Sequence, residues 1–137
     1  ISYIKDYATY RIDPLGNVIV EKKGRKTPAK RIMLDAHMDE VGMIITNVRQ
    51  DGLLNFSTIG GILPEAFIGK TVAFEHCNGV IGCLPIHCLS GDAKTKLPSE
   101  RELFIDIGAC SGEDARTLVN PGDVCTFYSD FIPFGDG

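Results

Sequence analysis

The sequence predicts a small, mainly β domain, closed or nearly closed, with one short helix, running from about Thr46 to Ile132. Three observations predict it. Short runs rich in β-branched and aromatic residues recur along the chain, and turn pairs separate them, notably Asp51-Gly52 and Asn78-Gly79. The pattern of a helix start occurs convincingly once, at Ser111-Gly112-Glu113-Asp114. Strands joined by hairpin turns with so little helix bury their apolar faces most simply by closing the sheet on itself.

Taken in order, Tyr3 to Ile12 suits a strand, at least in its second half, and Asp13-Pro14-Leu15-Gly16-Asn17 is dense turn chemistry. Val18 to Glu21 then returns as the second arm of a hairpin. Gly24 to Lys30 is a basic, proline-containing loop expected to be solvated. Ile32 to Ala36 is a short apolar run suited to a buried strand. Val41 to Val48 and Leu53 to Ser57 flank Asp51-Gly52 as a hairpin. Gly60-Gly61 and Pro64 mark a loop. Thr71 to Glu75 and Val80 to Leu84 flank Asn78-Gly79 as a second hairpin, and Ser90 to Arg101 reads as a polar loop. Leu103 to Ile107 is a strand. Ser111 caps the helix with acids in its first turn, Pro121-Gly122 ends it, and Val124 to Tyr128 closes the series.

The chemistry concentrates in Arg31 to Gly42, RIMLDAHMDEVG, where apolar support is followed at once by His37, Asp39 and Glu40. In an extended chain, residues two apart project to the same side, about 6 to 7 Å apart at Cα. His37 and Asp39 would then stand together. A metal-bound imidazole uses one nitrogen for the ion and donates the other N–H to a carboxylate or carbonyl, which fixes its tautomer. Asp39 is suited to that second task and His37 to the first, whereas a bare H-x-D in a solvated turn is the plainer reading of the same three residues. Glu40 is as well explained by a charge on the rim of a site.

LDAHMDEVG resembles the first metal-ligand segment of the glutamyl or tetrahedral aminopeptidase family, dinuclear-metal exopeptidases also labelled cellulases or endoglucanases. DPLGNVIV, IGGILPE, GCLPIH, DIGACSGEDA and NPGDVCTF resemble the same family in order and spacing, so the likeness spans nearly the whole chain. It implies a mixed α/β fold: strands of a truncated α/β catalytic domain over residues 1–45, then a PDZ-like β-barrel assembly domain over 46–132, with 133–137 beginning the return. It also implies His37 as a metal ligand, Asp39 as the residue orienting it, and two divalent ions, zinc or cobalt, in the parent protein. The implied activity is removal of amino-terminal residues from peptide substrates by metal-activated water. Self-assembly through the barrel is implied as well.

The family's other ligands lie in an Asp-Asp-Arg segment, an adjacent Glu-Glu pair, a further aspartate and a last histidine. None has a counterpart here. No E-E or D-D pair exists in the sequence, and beside His37 there are His76 and His87. A two-metal hydrolase must hold ions roughly 3.5 to 4 Å apart and supply a base for the bridging water. The 137 residues are therefore expected to be inactive alone and, since they begin at Ile1, to be a processed, trimmed or excised piece.

Composition excludes other classes. Hydrophobic content of 44% and charged content of 23% are those of a globular protein, and a net charge of −4 with pI near 5.3 argues against nucleic acid or an anionic membrane as partner. No apolar run approaches the ~20 residues of a bilayer span. Five cysteines without a C-x-x-C pair fit reduced thiols in a cytoplasmic protein and read as small buried hydrophobes. Two further readings compete. His76, Cys77, Cys83, His87 and Cys88 are numerous enough for structural zinc, although adjacent His-Cys pairs face opposite ways on a strand. A non-catalytic interaction or oligomerisation module is the other. Cys110 or Ser111 as nucleophile has no histidine in predictable reach, and a helix cap explains Ser111 more simply.

Overall fold

The computed structural model describes residues 1–25 and 30–135 and divides into two compact units, Ile1–His37 and Met38–Gly137. Residues 26–29 of the expected basic loop, and 136–137 of the expected return segment, lie outside the described residues.

The first unit is a hairpin with an irregular lead. Residues 2–7 form turns, with Ala8 donating its N–H to the Ile4 carbonyl at 3.1 Å, so the expected first strand forms in its second half. Strands β1 (Thr9–Ile12) and β2 (Val18–Glu21) pair antiparallel from Thr9 opposite Glu21 to Ile12 opposite Val18. Asp13 builds the turn between them. Its Oδ1 accepts the N–H groups of Leu15 (2.9 Å) and Asn17 (3.0 Å), and its Oδ2 accepts from the Asn17 side-chain amide at 2.8 Å. These hydrogen bonds from Asn17, its side chain first, hold the Asp13 carboxyl below its usual range.

The expected buried strand Ile32 to Ala36 does not form. The segment has no regular structure, and Ile32, Met33 and Leu34 are 89%, 87% and 94% exposed. A run apolar on both faces becomes a strand when neighbours cover both faces and pair both edges. Among the described residues it has no such ladder partner. The regular structure described in this unit is the β1–β2 hairpin.

The second unit is a closed six-stranded barrel. Strands β3 (Gly42–Val48), β4 (Leu54–Ile59), β5 (Thr71–Ala73), β6 (Asn78–Cys83), β7 (Leu103–Asp106) and β8 (Val124–Phe127) follow one another around it in the order β3-β4-β7-β6-β5-β8. Every described pairing is antiparallel. Alternate residues point inward, which places Met43, Ile45, Leu54, Ile81 and Ile105 at 0–1% exposure. Phe67 fills the middle, with ring centroids 5.7 Å from Phe56 and 5.9 Å from Phe127. A register shift between Ile45 and Asn47 turns Thr46 and Asn47 both outward and returns Val48 to the core.

The Asp51-Gly52 turn forms as expected, with Arg49 N–H bonded to the Leu53 carbonyl at 2.9 Å and Gly52 at φ +89°. The second hairpin forms, but its turn lies at Glu75-His76, closed by the Phe74 N–H on the Cys77 carbonyl at 2.8 Å. Asn78 and Gly79 belong to β6 and pair with Ala73 and Val72. A Cβ on Gly79 would lie 2.7 Å from Ile105 Cγ2, so this glycine serves close packing rather than a turn. The Ser90–Arg101 region is folded into 3-10 turns, Gly91–Thr95 and Glu100–Glu102, the latter fixed by a capping box between Ser99 and Glu102.

Helix α1 (Gly112–Ala115) is a single turn. Ser111 Oγ accepts the Asp114 N–H at 3.1 Å, as its sequence position predicts. Arg116 ties the end of this helix to β3 by donating to the Gly112 carbonyl (3.0 Å) and the Val48 carbonyl (2.8 Å). No helix among the described residues is long and apolar enough to cross a membrane.

Candidate functional site

The segment that carries the expected chemistry is exposed throughout, from Arg31 to Val41. His37 is the last residue of the first compact unit, and Asp39 is the second residue of the other. Glu40 lies two residues before β3, whose Gly42 is buried because a Cβ there would meet the Cys125 carbonyl oxygen at 2.8 Å. Gly42 therefore anchors the start of β3 against β8, and the preceding residues lie outside the barrel ladder. An imidazole followed two residues later by a carboxylate suits a divalent ion of the zinc type. Among the described residues, however, no group of three or more histidine, cysteine, aspartate or glutamate side chains is disposed to hold a metal ion.

The alternative histidine and cysteine set is dispersed by the barrel. Cys77 precedes β6 and Cys83 ends it, so six residue steps of extended chain, roughly 20 Å, separate them. Zinc–sulfur bonds of about 2.3 Å cannot span that distance. His76 occupies the β5–β6 turn, exposed, with Nε2 3.8 Å from Glu75 Oε1, while His87 and Cys88 sit in the 3-10 turn Ile86–Cys88. Among the described residues, these side chains form no group disposed to hold a metal ion.

The cysteines are not uniformly buried, as composition suggested. Cys125 is 2% exposed and Cys77 and Cys83 are half-buried, but Cys88 and Cys110 are exposed. Burial pushes the Cys125 thiol up to about 12, with the neighbouring Cys77 adding to the effect, and burial raises Cys77 as well. Neither thiol is an activated nucleophile. Cys110 donates its backbone N–H to Asp114 Oδ2 at 2.9 Å, and Ser111 is engaged as the cap, so the DIGACSG stretch is helix-start architecture.

A surface concavity of about 340 Å³ lies on the barrel between Thr71, Asn78, Val80, Asp106 and Ile107. Its carboxylate, Asp106, already accepts the Gly108 N–H at 2.8 Å. None of the residues expected to bind metal lines it. One polar contact had no sequence signal: Glu100 reaches across 42 positions to accept from Thr58.

Comparison with known proteins completes the description. The chain is 41% identical over 126 residues to an aminopeptidase-named protein of Acetivibrio thermocellus, covering 92% of this chain and 36% of that protein. The structure of a TET aminopeptidase from a marine-sediment Thaumarchaeota archaeon superposes with TM-score 0.71 at 35% identity, over 99% of this chain and 40% of the other. A Pyrococcus horikoshii TET1 peptidase, described as assembling into a tetrahedron or a large octahedral shell, gives 0.63 at 39% identity over 93% of this chain and 38% of the other. The chain thus spans well under half the length of these relatives.

Fold and sequence together place this barrel domain, with the segment leading into it, among proteins named as peptidases. The M42 glutamyl aminopeptidase family model matches residues 16–137, and the chain belongs to that family.

Proposed function

We propose that this chain is part of a metal-dependent aminopeptidase that removes amino-terminal residues from peptides, with residues 1–45 contributing to its catalytic domain. The observation that carries the reading is the family match from residue 16 to 137, which contains His37 and Asp39. The exposed run Ile32-Met33-Leu34, which leads directly to His37, supports it. Three consecutive apolar side chains in water are the state of a strand that needs a sheet, and further chain of such a protein would supply one.

In this reading His37 ligates one of two divalent ions, zinc or cobalt, and Asp39 orients its ring. The donors present fall short of a dinuclear centre, so the isolated chain does not hydrolyse peptides. When bound, such ions supply an acidified water and polarise the scissile carbonyl. This chain's own part is to hold an imidazole in one tautomer. The barrel, residues 46–132, acts as a PDZ-like assembly domain between copies, consistent with the assemblies described for the TET1 peptidase. We place the protein in the cytoplasm, where its free cysteines stay reduced.

The test uses the whole protein and two readouts, bound metal per subunit and release of the amino-terminal residue from a peptide. His37→Ala is expected to lower metal content and abolish release, while Asp39→Asn weakens metal retention about 10- to 100-fold. Full metal content and activity in His37→Ala would sink the assignment. Subunit mass is measured in parallel: an assembly unchanged by His37→Ala agrees with association through the barrel.

A further inference from the structure

Charge is divided unevenly along the chain. Residues 1–37 carry eight lysines and arginines against four acids, whereas residues 38–137 carry fourteen acids against six bases. The excess of base is concentrated further: six of the eight lie between Lys22 and Arg31, a stretch of sequence without an acid. Lys22, Lys23 and Arg25 follow β2 directly and are exposed. Lys22 rests on the Tyr7 ring, its Nζ 4.6 Å from the centroid. Neither Lys23 nor Arg25 forms an ion pair with another described residue.

On the barrel the opposite charge stands beside apolar surface. Thr71 lies opposite Val80 and Val80 opposite Asp106, so these three exposed residues form one row across the outer face of β5, β6 and β7. Asn78 and Ile107 flank the row, and together they line the concavity of about 340 Å³. Val80, 47% exposed, gives it an apolar surface. The Gly108 N–H holds Asp106 Oδ1 and so sets the direction of an exposed carboxylate. A cleft of this volume is at the small end for ligand binding and suits one long side chain with an apolar stem and a charged tip. Lysine and arginine are built that way, laying their methylenes along apolar surface while the head stays with charge.

We infer that the concavity around Asp106 receives the basic turn at Lys23 and Arg25 of a second copy of the chain, a head-to-tail contact between the lead of one subunit and the barrel of the next. This rests on the reading of the barrel as an assembly domain and names what the barrel holds. The complementary charges are carried by different segments of one sequence, so each copy offers both halves of the contact, as a heterologous interface requires. One exposed ion pair is weak alone. In a closed assembly, however, the contact recurs at every subunit and gains by avidity. The uneven division of charge serves the same end, drawing a basic lead toward an acidic barrel before they touch.

Association of the whole protein, followed by sedimentation as subunit concentration is varied, tests the contact. Asp106→Lys is expected to raise the concentration for half-assembly about tenfold, and Lys23→Glu with Arg25→Glu to do the same. Combining all three substitutions exchanges the charges and should return most of the loss. Asp106→Asn keeps an acceptor for the Gly108 N–H and so preserves the local turn; it should weaken assembly less than Asp106→Lys and reduce its sensitivity to salt. Glu113→Lys, an equal change of net charge on α1, should leave assembly as in the parent. Assembly indifferent to Asp106→Lys overturns the inference, as does an equal loss in Glu113→Lys or no recovery in the combined variant. Bound metal is measured in Asp106→Asn and is expected at the parental level, so a failed contact and a failed metal assignment are read separately.

Discussion

Ile105 occupies the space that a side chain on Gly79 would need: its Cγ2 lies 2.7 Å from the position of a Cβ there, with the Asp106 carbonyl oxygen at 3.0 Å and Ile107 Cγ2 at 3.1 Å. Ile105 is fully buried and Gly79 is itself buried in β6. Gly79→Ala should therefore destabilise the barrel by about 1–3 kcal/mol through overpacking, read as a lower urea midpoint. Asn78→Ala, one residue away and exposed, should change the midpoint little. Equal effects at the two positions would contradict the packing account.

Phe67 ties the two sides of the barrel interior together through Phe56 and Phe127. It lies on no strand, yet it is fully buried. Phe67→Ala is expected to cost about 3–5 kcal/mol, and Phe67→Leu distinctly less, by equilibrium denaturation.

Removing the Ser111 hydroxyl leaves the Asp114 N–H without its acceptor. Ser111→Ala should cost about 0.5–2 kcal/mol, and Ser111→Asp should restore much of it. The same denaturation assay reads both. Losses far beyond that range would mean that Ser111 has a role other than capping.

Thiol reactivity follows exposure and burial. With iodoacetamide near pH 8, Cys88 and Cys110 should be alkylated first and Cys125 last, as followed by mass spectrometry. The pH dependence has a definite sign. The Cys125 thiol stands at about 12 in the fold against 9.0 when free, so the folded state keeps a proton that the unfolded chain releases. Its contribution is complete below pH 9 and is lost as pH rises from 9 toward 12. Stability measured between pH 8 and 10 should fall more steeply in the parent than in Cys125→Ala.

Several elements were legible because their signals are local. The β1–β2 hairpin, the Asp51-Gly52 turn and the Ser111 cap each depend on residues within a few positions of one another, and they form where the sequence places them. The Asn78-Gly79 pair misled because a glycine can serve a turn or a close approach, and the choice depends on Ile105, distant in sequence. Ile32 to Ala36 misled for the opposite reason. A buried strand is completed by neighbours, and an apolar run alone does not bring them.

The sequence by itself determined that this is a mainly β chain with one short helix and set most strand positions, and it raised the expectation of metal chemistry at His37 and Asp39. Alternation and turn chemistry are written in the chain at short range, which is why they can be read without coordinates. The closure order of the barrel, the burial of Phe67 and Gly79, the separation of Cys77 from Cys83, and the reach of Glu100 to Thr58 were decided by tertiary structure. Each is a matter of which distant segments share a volume, and packing in three dimensions sets that where no local pattern can.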